Sequence, residues 1–374
     1  MVKTVQRYIG LMSGTSMDGV DAGLLVFGKD VIMDRGITHP FPPDLHKHLV
    51  HVVDHPTQVS LDELGELDTA LGECFSDAVV ELLSLSQLEA ADITAIGSHG
   101  QTIRHGPSAL HPFSMQIGDA NVIVARTGIT TVADFRRRDV ALGGQGAPLT
   151  PAFHDAVFSH SDENRVVVNI GGMSNMTALS VNAAVAGHDT GPGNVLMDAW
   201  AKQHHDQPFD NNGAWARTGN VNNELLQLLL SEEFFQLAPP KSTGRELFNL
   251  PWLTAHLLSM DAAPEPADVQ ATLCELTALS IAEAIKAYAP EAQRCLVCGG
   301  GARNEYLMDR LNALISHCVA ESTERYGIAP EWVEAAAFAW LARQTLLGRD
   351  GNMPAVTGAA HSAVLGVILS AGSA

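Results

Sequence analysis

The sequence predicts an α/β protein of two domains, and its length, its composition and a repeated motif support this. The chain has 374 residues, of which 46% are hydrophobic and 17% are charged. This composition is typical of a well-packed globular protein, and the length exceeds what one ordinary hydrophobic core organises. An apolar strand, a bend of small polar residues and a second apolar segment occur at residues 8–27 and again at residues 165–180. A duplicated unit of this kind indicates two similar domains.

The first bend, residues 13–16, has the sequence Ser-Gly-Thr-Ser and is followed by Asp18 and Asp21. Small residues let backbone N–H groups approach phosphate oxygens, and the hydroxyl groups can bind the same oxygens. Carboxylates repel a bare phosphate, so the acids favour a Mg²⁺ ion between them and the phosphate. We predict Asp18 as the metal ligand; the alternative is that it caps the turn. Asp21 is out of phase with Asp18 along the strand, so at most one of them faces the ligand.

Helix and strand signals alternate between the two repeated units. Residues 61–85 carry acids on one face and leucines on the other, which predicts a helix. Residues 93–96 predict a short strand that runs into a Gly-Ser-His-Gly turn. Residues 129–135 predict a strand that ends in a charge cluster, and a glycine-rich loop follows at residues 141–148.

A third glycine turn, Gly299-Gly300-Gly301, lies between a predicted strand and a predicted helix that carries Leu307, Leu311 and Leu314. It is neither a Walker loop nor a dinucleotide fingerprint, because the required Lys and the third spaced glycine are missing. One such turn alone is most simply a tight bend. Three of them, each after a strand, favour a nucleotide cleft.

Charge and hydropathy exclude several partners. Lysine and arginine number 22 against 42 acids, which gives a net charge of −20. That field repels nucleic acid and anionic membranes. The N-terminus lacks the apolar region of a signal peptide, and no apolar run is long enough to span a bilayer, so we expect a cytoplasmic protein. The five cysteines do not form a disulfide framework pattern.

Seven sequence blocks, in order, resemble the anhydro-N-acetylmuramic acid kinase family, part of the actin-like ATPase and sugar kinase superfamily. The resemblance runs from residue 8 to about residue 340. The blocks are GLMSGTSMDGVD, GSHGQTIRH, VADFRRRDVALGGQGAPL, NIGGMSN, DTGPGNVLMDAW, KSTGRELFNLPWL and LVCGGGARN.

The resemblance implies two RNase H-like domains that flank a deep nucleotide cleft. We expect residues 1–135 with 355–374 in one domain and residues 136–354 in the other, with a helix at 332–347 as the crossover. This helix is rich in alanine, which favours close helix packing or a dimer contact. The family is expected to form homodimers.

The resemblance also implies the reaction. ATP, with Mg²⁺, phosphorylates the 6-oxygen of 1,6-anhydro-N-acetylmuramic acid while water opens the anhydro bridge, and the product is N-acetylmuramic acid 6-phosphate from cell-wall recycling. The alternatives are another small-molecule kinase of the same fold or a chaperone-like ATPase. The residues expected to bind nucleotide are Gly14, Thr15, Ser16, Met17, Asp18, Gly19, Asp21, Gly171, Gly172, Gly299, Gly300 and Gly301.

Water attack on the anomeric carbon requires a base, and the resemblance assigns this role to Asp189 in the block DTGPGN. Asp189 follows a strand predicted at residues 183–187 and precedes a helix that begins near Asn194. The alternative is an aspartate that caps this helix.

The remaining candidates are substrate contacts. One of the three arginines 136–138 is expected to bind the sugar's carboxylate or a phosphate, and we favour Asp134 with Arg138; the alternative is ion pairing with Asp134 and Asp139 on a solvated loop. The other expected sugar contacts are Ser98, His99, Gln101 and, by resemblance only, Glu324. For His99 the alternative is a buried histidine satisfied by backbone. The segment KSTGRE, residues 241–246, is either placed over the nucleotide or a surface loop.

Overall fold

The computed structural model describes residues 5–14, 17–239 and 241–372. Its strands are β1 Gln6–Ser13, β2 Gly19–Phe27, β3 Val31–Pro40, β4 Ala95–Gly106, β5 Phe113–Ile117, β6 Thr131–Ala133, β7 Arg165–Ile170, β8 Met173–Leu179, β9 Ala186–Pro192, β10 Arg294–Cys298, β11 Val319–Ser322 and β12 Val367–Leu369.

Its helices include those predicted at residues 61–85 and 332–347 and the one predicted to begin near Asn194. They are α1 Pro43–Asp54, α2 Leu61–Ser86, α3 Ala120–Thr127, α4 Arg136–Ala141, α5 Thr150–Phe158, α6 Val195–His205, α7 Asn223–Leu230, α8 Glu233–Gln236, α9 Leu250–Leu258, α10 Pro266–Tyr288, α11 Glu305–Leu314, α12 Val333–Leu346 and α13 Pro354–Thr357. None of the helices in the described ranges is long and apolar enough to cross a membrane.

The chain folds into two compact units, residues 1–153 with 332–374 and residues 154–331. The first sheet has the order β12-β6-β4-β1-β2-β3, with β5 paired to β4. Strands β1, β2 and β3 form an antiparallel meander, β4 runs parallel to β1, and β6 runs parallel to β4.

The sheet of the second unit repeats this plan with the order β11-β10-β7-β8-β9. Strands β7, β8 and β9 form the antiparallel meander, and β10 and β11 follow in parallel. An antiparallel meander whose first strand is extended by parallel strands is the RNase H-like arrangement, so the predicted topology is confirmed in both units.

The predicted domain boundaries differ from these compact units. Residues 136–153 and 332–354 were assigned to the second domain, yet they lie with the first unit. The reason is helix α12, which packs on β1, β2 and β4 and is buried along most of its length. Close packing of this alanine-rich helix is therefore observed.

Strand β4 corrects another expectation. The sequence predicts a strand at 93–96 followed by a turn, but β4 continues to Gly106. The strand continues because it gains a partner: it pairs with β1 from Ala95 to Gln101, with a register shift, and with β5 from Gln101 onward. Gly100, with φ of +73°, lies just before the pairing with β5 begins.

Candidate functional site

The β1–β2 bend of the first unit is held by its own polar groups. The Ser13 hydroxyl is buried and donates to the carbonyl of Gly19 at 2.8 Å, and the N–H of Met17 donates to the carbonyl of Gly14 at 3.2 Å. Gly19 is required because a β-carbon there would lie 2.5 Å from the carbonyl oxygen of His39. Ser13 therefore closes the bend instead of facing a ligand.

The remaining predictions for this bend divide into three groups. Thr15 and Ser16 lie outside the described residues. Asp18 is exposed next to the bend. Asp21 lies on β2, where its carboxylate accepts a hydrogen bond from the Thr38 hydroxyl at 2.7 Å, so it has a structural partner within the sheet.

A cavity of about 590 Å³ lies in the first unit and brings together three of the predicted sugar contacts, Ser98, His99 and Asp134. Its volume is in the range of small-ligand sites. The Ser98 hydroxyl is 1% exposed and has no hydrogen-bond partner within the described ranges. A buried, unpartnered hydroxyl is costly unless a ligand or water binds it, which fits a polar contact in a site.

The sequence gives no direct signal for several other polar residues of this cavity. They are Asp68 on α2, Ser114 and Gln116 on β5, and Asp119, which caps α3. Gln101 does not line the cavity; its amide donates to the carbonyl of Thr102 at 3.2 Å, and its side-chain oxygen has no described partner.

His99 is the centre of a buried polar pair. Its Nδ1 lies 2.9 Å from the carbonyl oxygen of Gly100, and its Nε2 accepts a hydrogen bond from the Arg136 guanidinium at 2.8 Å. Burial, together with the charge of Arg136, holds the pKa of His99 well below its usual value. His99 is therefore neutral, with its proton on Nδ1, and it serves as an acceptor.

The three adjacent arginines have different surroundings. Arg136 donates to His99 and to the carbonyl of Gly146 at 2.8 Å. Arg137 forms an ion pair with Asp134 at 2.6 Å, as the alternative reading of the cluster expects. Arg138, which the sequence analysis favoured, is exposed. Arg136 and Arg137 thus each bind a predicted site residue, and Arg137 also lines the cavity, whereas Arg138 is exposed.

Asp139 anchors the glycine-rich loop of the first unit. It is fully buried and accepts hydrogen bonds from the N–H of Gly146 at 2.7 Å, the amide of Asn352 at 2.7 Å and the hydroxyl of Thr357 at 2.8 Å. It thereby ties the loop at residues 141–148 to the C-terminal segment. The predicted partnership of Asp139 with an arginine on a solvated loop is wrong, since its carboxylate binds these three donors inside the fold.

In the second unit the β7–β8 bend meets the start of α6. The carbonyl of Gly171 accepts the N–H of Asn194 at 2.8 Å, and the carbonyl of Gly172 accepts those of Gly193 and Val195 at 2.9 and 3.1 Å. A β-carbon on Gly172 would meet nothing within 4 Å. The glycine surface on this side of the bend is therefore open to a ligand.

The third glycine turn lies close to the same bend. Gly299 has φ of +78°, and a β-carbon there would lie 2.6 Å from the carbonyl oxygen of Ile170, at the end of β7. A β-carbon on Gly300 would lie 3.6 Å from the side-chain nitrogen of Asn194. The structure thus brings together the two glycine turns that the sequence predicted for this half of the chain.

Asp189 lies on β9, opposite Asn175 of β8. Its Oδ2 accepts a hydrogen bond from the N–H of Thr243 at 2.9 Å. Burial raises the pKa of Asp189 to about 6, the Thr243 hydrogen bond opposes the rise and the charge of Glu246 adds to it. A carboxylate of this kind is ionised at neutral pH and is a stronger base than an ordinary aspartate. Asp189 is not a helix cap, because it lies within the strand.

Two further acids of the second unit, Asp198 and Glu324, have different surroundings. Burial raises the pKa of Asp198 on α6 to about 7, against the opposing charge of Arg245. No local sequence pattern separates Asp198 from the other acids on helices. Glu324 is exposed and forms an ion pair at 3.2 Å with Arg303, a residue that lies just after the third glycine turn. Within the described ranges, no three His, Cys, Asp or Glu side chains are grouped as a metal site.

Comparison with known proteins identifies the family. The family model described as anhydro-N-acetylmuramic acid kinase matches residues 6–371. Proteins named anhydro-N-acetylmuramic acid kinase from Coxiella burnetii (strain Dugway 5J108-111) and Vibrio cholerae are 50% and 51% identical to this chain. They align over 97% of this chain and over 97% and 98% of their own lengths.

Among solved structures, the activator of 2-hydroxyisocaproyl-CoA dehydratase from Clostridium difficile has a TM-score of 0.46 and 13% identity. The match covers 90% of this chain and 93% of that one. With a full-length family match and relatives at half identity, the chain belongs to the anhydro-N-acetylmuramic acid kinase family.

Proposed function

We propose that this chain uses ATP to phosphorylate the 6-oxygen of 1,6-anhydro-N-acetylmuramic acid while water opens the anhydro bridge. The product is N-acetylmuramic acid 6-phosphate, an intermediate of cell-wall recycling. The observation that carries the proposal is Asp189, a partly buried carboxylate with a pKa raised to about 6 and one oxygen held by a backbone N–H, in a sequence block that resembles the family's motif.

Asp189 acts as the base. It accepts a proton from the water that attacks the anomeric carbon, so a new C–O bond forms there as the bond from that carbon to the 6-oxygen breaks. The departing 6-oxygen forms its new bond to the γ-phosphorus, and ADP leaves. Because the 6-oxygen passes directly to phosphorus, no general acid is required.

The cavity of the first unit supplies the polar contacts for the sugar. Ser98 offers a hydroxyl that lacks a described partner, and Asp134 lines the same cavity. His99 binds Arg136, on which the charges of Glu334 and Asp139 also act. Which of the three arginines binds the sugar's carboxylate stays a prediction. Gln101, Arg138 and Glu324 stay predictions as sugar contacts.

The glycine turns supply the nucleotide contacts. Gly171 and Gly172 leave space where side chains would project, and Gly300 faces Asn194, so small residues fit the approach of a phosphate or ribose. The donor set also fits Mg²⁺, which usually takes one or two carboxylates together with substrate phosphates and waters, and Asp18 is the exposed acid next to the first bend. When bound, the ion neutralises charge on the transferring phosphate.

An assay of four reactions tests the proposal. The sugar is incubated with enzyme and ATP, without ATP, without enzyme, and with a non-hydrolysable ATP analogue, and the products are separated by mass. We expect phosphorylated, ring-opened sugar only in the complete reaction. Ring opening without ATP would indicate a glycosidase, and ATP hydrolysis that does not depend on the sugar would indicate a chaperone-like ATPase.

Location and assembly belong to the same proposal. We propose a cytoplasmic enzyme, since its substrate is a small recycled fragment and its co-substrate is ATP. We propose a homodimer on the basis of the family resemblance. Sedimentation at several concentrations measures the assembly, and a single species at 39.7 kDa would contradict the dimer.

A further inference from the structure

Residues 241–246 of the second unit form hydrogen bonds with strand β9 at Asp189. One bond involves the backbone of Asp189, and the other involves its side chain. The backbone N–H of Asp189 donates to the carbonyl of Lys241 at 3.2 Å, and the N–H of Thr243 donates to the Asp189 carboxylate at 2.9 Å. Strand β9 is the edge strand of its sheet. The segment therefore occupies the free edge at the point where the base lies.

Both ends of this segment are anchored in the second unit. The Lys241 ammonium donates to the carbonyl of Phe234 at 3.1 Å and lies 4.6 Å from the centre of its ring. Beyond the other end, Phe248 is fully buried, and its N–H donates to the carbonyl of Gly244 at 3.1 Å. An anchored segment can hold a fixed geometry at Asp189, which a free surface loop could not.

The charges around Asp189 come mostly from the same segment. The Glu246 side chain folds back over Gly244, the residue that follows Thr243. A β-carbon on Gly244 would lie 2.3 Å from the Glu246 carboxylate. The Lys241 ammonium acts on the neighbouring His188.

The elements packed against β9 contribute few charges there. Strand β8 places the uncharged Asn175 opposite Asp189, and Tyr288 of α10 packs edge-on against His188. Helix α8 provides the Phe234 carbonyl that holds Lys241. Glu246 is thus the negative charge that acts on Asp189.

We propose that residues 241–246 form a strap that positions Asp189 by binding its backbone N–H and its Oδ2. The Thr243 N–H fixes Oδ2, so Oδ1 is the oxygen that takes the proton, and the Glu246 charge disfavours the carboxylate ion. Thr243 and Glu246 are positioning residues, since they act through Asp189. This inference rests on the proposed function only in assigning Asp189 as the base.

The two contacts must act in opposite directions. Removing the Glu246 charge stabilises ionised Asp189, so the acid limb of the kcat/KM profile should move to lower pH by roughly half a unit. Removing the Thr243 N–H destabilises the ion, so the limb should move to higher pH by a similar amount. General destabilisation of the fold would not shift the profile in opposite directions.

The test uses matched pairs of variants. Glu246→Gln is compared with Glu291→Gln, which removes the same charge at an exposed position of the second unit. Thr243→Pro is compared with Thr243→Ala, which keeps the N–H. Two quantities are measured for each variant. The first is the acid limb of the kcat/KM profile, and the second is the pKa of the Asp189 carboxyl, by ¹³C NMR of labelled protein.

We expect Glu246→Gln to lower both quantities, Thr243→Pro to raise both, and the two controls to match the wild type. An unchanged NMR pKa in Glu246→Gln would overturn the strap, and this result stands even if the proline variant fails to fold. A shifted NMR pKa with an unshifted rate profile would support the strap and instead overturn Asp189 as the base.

Discussion

The two sheets have the same strand order, but a helix covers each of them in a different way. In the first unit, Gly10 of β1 and Gly97 of β4 let α12 approach so closely that β-carbons there would lie 1.7 and 2.0 Å from helix carbonyl oxygens. In the second unit, strands β7 and β10 present buried valine, leucine and cysteine side chains, and α10 contributes larger aliphatic residues. One topology is therefore compatible with backbone-to-backbone packing and with ordinary side-chain packing.

The two units also differ in what their strands present. The first has a cavity lined by a neutral histidine, by the ion pair of Asp134 with Arg137, and by a hydroxyl without a described partner. The second has a partly buried acid on an edge strand and open glycine turns. We therefore expect substitutions in the first unit to change sugar binding and substitutions of Asp189 to change the chemical step.

The largest effect should follow from Asp189→Asn. An amide cannot accept the proton from water, and a general base contributes about 100- to 10,000-fold to rate. We expect kcat to fall by that factor while ATP affinity, measured by calorimetry, stays near the wild-type value. The control is Asp206→Asn, an exposed acid of the same unit. A variant with a near-normal rate would remove Asp189 from the mechanism.

Gly10→Ala tests the difference in packing. A β-carbon at Gly10 would overlap the carbonyl of Ala335, and backbone cannot move aside as a flexible side chain can. We expect the free energy of unfolding to fall by about 3 kcal/mol or more, measured by urea denaturation. Loss of less than about 1 kcal/mol would show that α12 does not lie against this strand.

Acid sensitivity offers a smaller test, in the second unit. Burial lowers the pKa of His154 to about 3, so folding keeps it neutral where the unfolded chain would bind a proton. Its contribution to stability is complete above pH 6.5 and is lost as the pH falls from 6.5 toward 3, by up to about 1.4 kcal/mol per pH unit. We expect His154→Gln to flatten this slope, measured by denaturation at several pH values. The exposed His317→Gln serves as the control, and equal slopes in both variants would contradict the burial of His154.

The smallest effect on stability is expected from Gly172→Ala. Because nothing lies within 4 Å of the added carbon, unfolding should change by less than about 0.5 kcal/mol. The same methyl group would fill the space that we assign to the nucleotide, so ATP affinity should fall several-fold. If the Gly172→Ala variant keeps both its free energy of unfolding and its affinity for ATP, the nucleotide binds elsewhere.

The sequence predicts much of this fold, because the repeated strand–bend–strand pattern and the helix periodicity are local signals. It misses the length of β4, because that strand gains a second partner, β5, that the local sequence does not reveal. It does not indicate which unit helix α12 packs in for a similar reason, since the glycines against which the helix packs are more than 200 residues away in the sequence.

The site residues that belong to a sequence motif could be predicted. Those whose role depends on burial and on distant partners could not. Asp189 and the glycine turns follow from their sequence blocks. The different surroundings of Arg136, Arg137 and Arg138 depend on where α4 begins, since three adjacent arginines look alike in sequence. The roles of Asp139 and Thr243 depend on backbone partners far along the chain, which no local pattern indicates.

The most direct test of the account is the fate of oxygen during turnover. The sugar and ATP are incubated with the enzyme in ¹⁸O-labelled water, and the product is fragmented in a mass spectrometer. We predict one ¹⁸O atom at the anomeric carbon and none in the transferred phosphate. Label in the phosphoryl group, or a phosphorylated product with no label at the anomeric carbon, would contradict a base-assisted ring opening coupled to phosphoryl transfer.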